Sequence, residues 1–522
     1  MIYEFENFEL DTDMLELRHE GVARSLEPQV FELIKFLIVN RHRLVSKDDL
    51  QEHVWNGRFI SDSVINSRLS TARALLDDDG KTQRLIKTHH RQGFRFIGDV
   101  TEQPLENLFG RATKQDLRNK STEELITPSV KPSIAILPFH LIGIAGPHAA
   151  ITDALPYEII SELSRARWLK VIARGSSFRF REINPDIISL GRTLGVRYCL
   201  TGIIEITGKQ INVIVEVAET EHASIVWSQQ FKSDIDGVHE IREKITSNVE
   251  AALEVHIPIN EARRARLKPV ENLDAWGLYH LGLQHLYRFT REENDQAAGL
   301  FRKAVALEPN FARAHAALSS TEYYNARTHY TDEFESSSKR CREHAEKSVA
   351  IDPLDPFANY AMGRSYTAIG DLETSTSWYD RTLDLRPNYA QCLYSTALTD
   401  ILTELANHGR EHIDDALVLS PLDPFLCAMH SVRAFSHIIN EEYEEAAAWG
   451  EKAMATPNVH PHYACVPLIS HTLNGDMGRA NVWRDKLRVD FPKLSHHHFF
   501  ASFPFQNGKT REQITQAFLL HS

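Results

Sequence analysis

The chain opens on "IYEFENFELDTDMLELRHEGVARSLE", where apolar and polar positions alternate and the turn formers Asp11, Asp13 and Gly21 recur. A period of two predicts a small antiparallel sheet. The period then lengthens. Phe31, Ile34, Phe36, Leu37 and Ile38 form the apolar side of a first helix, and Ser46 with Asp49 makes a capping-box pair that opens a second over "KDDLQEHVW". A third helix starts at Ser61 or Asp62 in "SDSVINSRLSTARALLDDD". There Ile65, Leu69, Ala72 and Leu76 recur at i, i+4, i+7 and i+11 and predict one buried stripe. Ser63, Asn66, Ser67, Arg68, Ser70, Thr71 and Arg73 fill the opposite and flanking positions with a small, polar, basic face. The stretch "RLIKTHHRQGFRFIGD" then predicts a tight hairpin rich in positive charge.

From Thr101 to Pro132 the pattern lapses into a polar, proline-bearing linker. Short β-type runs follow: "SIAILPF", "WLKVIA", "YCLTGIIEI", "INVIVEVAE" and "ASIVWSQQF". Helical stretches at Asp153 to Arg167, Pro185 to Leu194 and Val238 to Val255 separate them, which predicts an α/β domain with a mixed sheet. Beyond Asn272 the prolines at 353, 387 and 421 stand 34 residues apart, and "PLDPF" occurs at Pro353 and again at Pro421. That is the period of the tetratricopeptide repeat. "AAGLFRKAVALEPN" and "MGRSYTAIGD" with "WYDRTLDLRPN" resemble parts of that unit, looser copies end at Pro457 and Pro492, and about ten extra residues separate Pro309 from Pro353. The expected organisation is multidomain: an α+β domain over 1–100, a linker over 101–132, an α/β domain over 133–258 and an all-α solenoid over 272–522.

The 522 residues carry 58 Lys and Arg against 71 Asp and Glu, a net charge of −13, so attraction to nucleic acid has to be local. It is: from Arg58 to Ile97 eight basic residues face four acidic ones. The five cysteines are widely spaced with no C-x-x-C, so neither a disulfide framework nor a zinc site is indicated. The acidic start and the proline-broken apolar window from Ser133 predict neither a signal peptide nor a membrane span, and a cytoplasmic location is expected. "GKT" at Gly80 and Gly508 lacks the earlier glycine of a phosphate loop. The histidines of "SHHHFF" point in different directions on a regular element without acidic partners nearby in sequence. No catalytic constellation, metal or cofactor is expected.

Residues 1–100 resemble the OmpR-type winged helix, carried by "FELIKFL", "LVSKDDLQEHVW", "DSVINSRLSTARALL" and "LIKTHHRQGFRF". The resemblance implies that the third helix enters the major groove and the hairpin lies on the minor groove or its phosphates. It makes Asn66, Ser67, Arg68 and Ser70 base readers, Thr71 and Arg73 phosphate contacts, and His90 and Arg91 wing contacts, while Arg95 divides between DNA and a structural role beside Phe94 or Phe96. The family often carries two arginines where this chain has Ser70 and Thr71, which shifts specificity toward shape readout by the wing. The loop "WNGRFIS", with Asn56 to Ser61, is where the family touches RNA polymerase. With the winged helix at the first residues, control is expected from the C-terminal side. The middle region, through "PSIAILPF", "VIAR", "LGVRYCLTG" and "VWSQQF", resembles the α/β domain, akin to the N-terminal domain of TolB, of CadC- and HilA-type regulators.

The expectation is a one-component, sequence-specific transcription regulator, not an enzyme, that binds promoter DNA and takes a partner or signal through its α/β and repeat domains. The alternative is a repeat scaffold in which the winged helix serves protein contact. Salt-dependent DNA affinity separates the two.

Overall fold

The computed structural model describes the chain apart from residues 13–14, 25, 56–59, 61, 90–91, 104–130, 143–150, 167, 182–184, 209, 235–237, 267–269, 271–272, 329, 332, 404, 422, 457–458, 460–461, 491–494, 507 and 522. The N-terminal part is a winged helix. Strands β1 (Ile2–Phe5), β2 (Phe8–Asp11), β3 (Glu16–His19) and β4 (Val22–Arg24) form an antiparallel meander. Helices α1 (Pro28–Val39), α2 (Lys47–Val54) and α3 (Asp62–Leu75) follow, then the hairpin of β5 (Ile86–His89) and β6 (Gly93–Phe96). Strand β7 (Thr101–Gln103) returns to β1, pairing Gln103 with Ile2, so the sheet takes in the first three residues expected in the linker. The hairpin turn at His90 and Arg91 and most of the Asn56 to Ser61 loop lie outside the described residues.

The local signals act as expected. Ser46 Oγ accepts from the Asp49 N–H at 3.0 Å and Asp49 Oδ2 from the Ser46 N–H at 2.8 Å, closing the capping box of α2. Ile65, Leu69, Ala72 and Leu76 are buried with Phe5, Leu10, Ile34, Leu37 and Phe96 in a core separate from the rest of the molecule. The hairpin is pinned to the loop before α2 by a bridge between Val45 and Phe94. That approach demands Gly93: its φ is +136°, and a Cβ there would stand 2.0 Å from the Val45 carbonyl oxygen.

In the middle domain β8 (Ser133–Ile136), β9 (His140–Ile142), β10 (Lys170–Val171), β11 (Tyr198–Thr207), β12 (Gln210–Glu219) and β13 (Ser224–Asp234) make one sheet. It is mixed: β10–β8–β11 and β9–β11 run parallel, β11–β12–β13 antiparallel. Around it lie α4 (Ile151–Leu163), α5 (Arg174–Ser177), α6 (Ile187–Leu194) and α7 (Val238–Ala265). Helix α7 is 28 residues long and runs unbroken through Pro258, so a boundary at 258 falls inside it.

The rest is an all-α array. Its helices are α8 (Ala275–Leu286), α9 (Arg291–Leu307), α10 (Ala312–Arg327), α11 (Phe334–Ile351), α12 (Pro356–Ile369), α13 (Leu372–Leu385), α14 (Ala390–Leu402), α15 (Ala406–Leu419), α16 (Leu426–Ile439), α17 (Tyr443–Met454), α18 (Cys465–Leu473), α19 (Met477–Asp490), α20 (His496–Ser502) and α21 (Gly508–Leu519). Pro309, Pro353, Pro387 and Pro421 each stand two residues past the end of α9, α11, α13 and α15, so the period in the sequence is the period of helical hairpins. Within a hairpin a glycine lets the helices close. A Cβ on Gly363 would stand 2.5 Å from the Tyr379 ring, and one on Gly282 would stand 2.4 Å from the Phe301 ring. The extra residues before Pro353 lengthen α10 to 16 and α11 to 18 residues, against 14 each for α12 and α13, and widen the connection between them.

The α/β domain and the array share one apolar core. Helix α7 also reaches the array through buried ions. Arg313 pairs with Glu254 at 3.0 Å and Asp355 at 2.7 Å, and Arg386 with Glu250 and Glu254, each at 2.8 Å. Burial would raise the Glu254 carboxyl, but Arg386 and Arg313 hold it at about 2. Among the described residues no helix is long and apolar enough to cross a membrane.

Candidate nucleic-acid interface

Helix α3 turns its apolar stripe inward and leaves Asn66, Ser67 and Ser70 exposed on the outer face. Thr71 is half-buried, its Oγ1 donating back to the Ser67 carbonyl at 3.2 Å. Arg73 is turned inward: Nε and Nη2 donate to the Ile86 carbonyl at 3.3 and 3.0 Å, and Nη2 donates to Thr88 Oγ1 at 2.7 Å. Burial pulls this guanidinium below its usual pKa, against the opposing charges of Asp78 and Asp79. Arg73 therefore ties α3 to the hairpin.

Asp78 completes that tie, a role that "DDD" does not disclose. Its carboxylate accepts from the backbone N–H of Arg84 at 2.7 Å, Leu85 at 3.0 Å, Ile86 at 3.0 Å and Asp79 at 2.9 Å. Burial alone would raise its pKa, and these donors bring it below the ordinary value. The exit of α3 and the start of β5 are thus locked together, setting the angle of the wing to the third helix. Lys81, Lys87 and Arg95 are exposed on this side. Arg95 also has a structural bond, Nε donating to the Arg41 carbonyl at 2.9 Å. Lys87 follows the buried Ile86 on β5, so strand alternation marks it as outward-facing.

Arg68 behaves differently from its neighbours on α3. Its side chain is only 14% exposed; Nη1 is paired with Glu27, and Nη2 donates to Thr374 Oγ1 at 2.9 Å. Thr374 belongs to α13, so a side chain on the outer face of the third helix is docked on the repeat array, 306 residues away in sequence. Around this point α1 packs on α13. Beside it lies a gap open to solvent, where Glu32, Lys35 and Trp55 face Ser377, Arg381 and Asp384. Burial brings the Arg381 guanidinium down to about 10, while Glu32 and Glu16 pull it upward. The contact is polar and loosely filled, unlike the core that joins the array to the α/β domain.

Residues 1–103 thus form a winged helix with a small, polar third-helix face beside a basic hairpin, joined to an α/β domain and a repeat array. Residues 21–96 match the family described as transcriptional regulatory protein, C terminal, and residues 130–248 match the second domain of HilA/YgeH-like transcriptional regulators. The chain is similar to transcriptional regulator HilA of Salmonella typhi, 21% identical over 422 residues that cover 80% of this chain and 70% of that protein. It is also similar to putative adenylate cyclase 3 of Rhizobium meliloti, 24% identical over 232 residues covering 44% of this chain and 40% of that protein, so it spans less than half of that relative. A solved structure of Pseudomonas aeruginosa pilF is similar at 17% identity with a TM-score of 0.31, covering 43% of this chain and 94% of that one.

Proposed function

We propose that the chain binds promoter DNA through α3 and the β5–β6 hairpin, and that its own repeat array restrains this binding until a signal or partner releases it. The bond from Arg68 to Thr374 carries the proposal. A helix that reads a major groove about 12 Å wide must present its outer face to the bases. With Arg68 held between Glu27 and α13, that face is partly covered, so groove entry requires undocking. The polar, gapped contact suits an equilibrium between docked and free states, since interfaces of this kind open at modest cost.

In the free state Asn66, Ser67, Arg68 and Ser70 read base edges, Thr71 and Lys87 meet phosphates, and His90 and Arg91 extend the wing. Arg73 serves by holding the hairpin. The loop from Asn56 to Ser61 is the proposed contact for RNA polymerase. The chain turns over no substrate in this scheme, and the cyclase name belongs to a relative matched over 232 residues only.

The test compares residues 1–103 with the full chain in anisotropy titrations on duplex DNA across a salt series. The fragment should bind more tightly, and affinity should fall steeply with salt, by about 0.9 decades per decade of salt for each phosphate neutralised. Equal affinities would remove the restraint. A folded fragment without salt-dependent binding would remove the DNA function and favour the scaffold alternative.

A further inference from the structure

Within the array, residues from α10, α12, α14 and α16 line a pocket that is partly open to solvent, with Ser502 and Phe503 at one side. Its wall is largely aromatic: Phe289, Tyr324, Tyr394, Phe425, Tyr463 and Phe503. Two guanidiniums are set into that wall. Arg327 and Arg364 are each 6% exposed. Arg364 lies 3.8 Å from the Tyr323 ring centroid and 4.8 Å from that of Tyr324. Arg327 Nε is buried with no hydrogen-bond partner.

Among the described residues no carboxylate forms an ion pair with either arginine. The contrast lies within the same array, where Arg313 and Arg386, also 6% and 5% exposed, are each paired with two carboxylates. The acids adjacent in sequence to the cavity wall are engaged elsewhere: Glu322 pairs with Arg340 at 2.9 Å, and Asp423 accepts from the Phe425 N–H at 2.9 Å and Ser420 Oγ at 3.0 Å. A buried cation without a counter-charge is costly, and aromatic faces compensate only part of that cost. Two such cations converging on one cavity form a receptor for an anion, and the ring-lined wall suits a flat apolar body attached to it.

We propose that this cavity binds a small organic carboxylate with a planar apolar body, the carboxylate seated on Arg327 and Arg364 and the body among the tyrosine and phenylalanine rings. This site does not depend on the docked position of the winged helix. It gives the array a ligand class of its own.

The test titrates the full chain calorimetrically with sodium benzoate, benzamide and inorganic phosphate, and follows the melting temperature with each. Benzoate should bind saturably and raise the melting temperature. Its neutral isostere benzamide should bind at least tenfold more weakly, as should phosphate, which lacks the apolar body. Arg327→Gln and Arg364→Gln should each lower benzoate affinity tenfold or more. Ala428→Phe, which adds bulk to the lining without altering a charged residue, should abolish binding. Should the arginine variants not fold, the comparison of benzoate with benzamide on the unaltered chain decides. Equal binding of the two, equal binding of phosphate, benzoate binding that survives Ala428→Phe, or no benzoate response overturns the assignment.

Discussion

Removing one hydroxyl far from the winged helix should tighten its grip on DNA. Thr374→Val keeps the shape of the side chain and deletes the acceptor of the Arg68 Nη2 bond, while Asp371 Oδ1 still caps α13 through the residue-374 N–H at 3.0 Å. Hydrogen bonds to charged groups contribute about 1.5–3 kcal/mol. Thr374 is 2% exposed and the Arg68 side chain 14%, so solvent replaces little of that bond in the docked state. Glu27 continues to hold Nη1, which places the expected effect at the lower end, about 1.5 kcal/mol, or roughly tenfold in the docking equilibrium. Where the docked state dominates, apparent DNA affinity scales with the free fraction and should rise by up to about tenfold. The measurement is an anisotropy titration of the full chain at fixed salt, on a duplex selected by residues 1–103, with Thr374→Ser as a control that keeps the hydroxyl. Arg68 is left unaltered because it is also a proposed base reader. If Thr374→Val binds as the unaltered chain does while residues 1–103 bind more tightly, Arg68 is not the latch. If all three bind alike, no docking restraint exists.

Other consequences concern the parts that position these groups. Gly93→Ala forces a side chain into a left-handed backbone against the Val45 carbonyl, and should destabilise residues 1–103 by about 3 kcal/mol or more, read as a fall in melting temperature. Ser46→Ala opens the capping box and should cost about 1 kcal/mol in denaturant unfolding of the same fragment. The Ser46 N–H, then Arg43, lower the Asp49 carboxyl from 3.8 to about 2, so its contribution is complete above about pH 4 and is lost as pH falls through 2; Asp49→Asn should flatten that acid limb. Arg386→Met leaves Glu250 and Glu254 under-compensated beside the shared core, and should destabilise the full chain by about 3–5 kcal/mol in a thermal melt.

Much of this molecule is written in its local patterns, because a helix face, a cap or a repeat period is set by residues a few positions apart. Ile65, Leu69, Ala72 and Leu76 announce the buried stripe of α3, Ser46 and Asp49 the start of α2, and the spaced prolines the ends of α9, α11, α13 and α15. The alternation of β-type and helical runs likewise announces a mixed sheet. What the sequence could not disclose is where long side chains go. Arg68 and Arg73 lie five residues apart on one helix with the same charge, yet one reaches Thr374 on the array and the other folds back onto Ile86 and Thr88. Arg313 and Arg327 share α10, and among the described residues only the first meets carboxylates. Periodicity fixes the direction in which a side chain leaves its helix, but its partner and burial depend on contacts tens or hundreds of residues away, and those exist only once the chain has closed on itself.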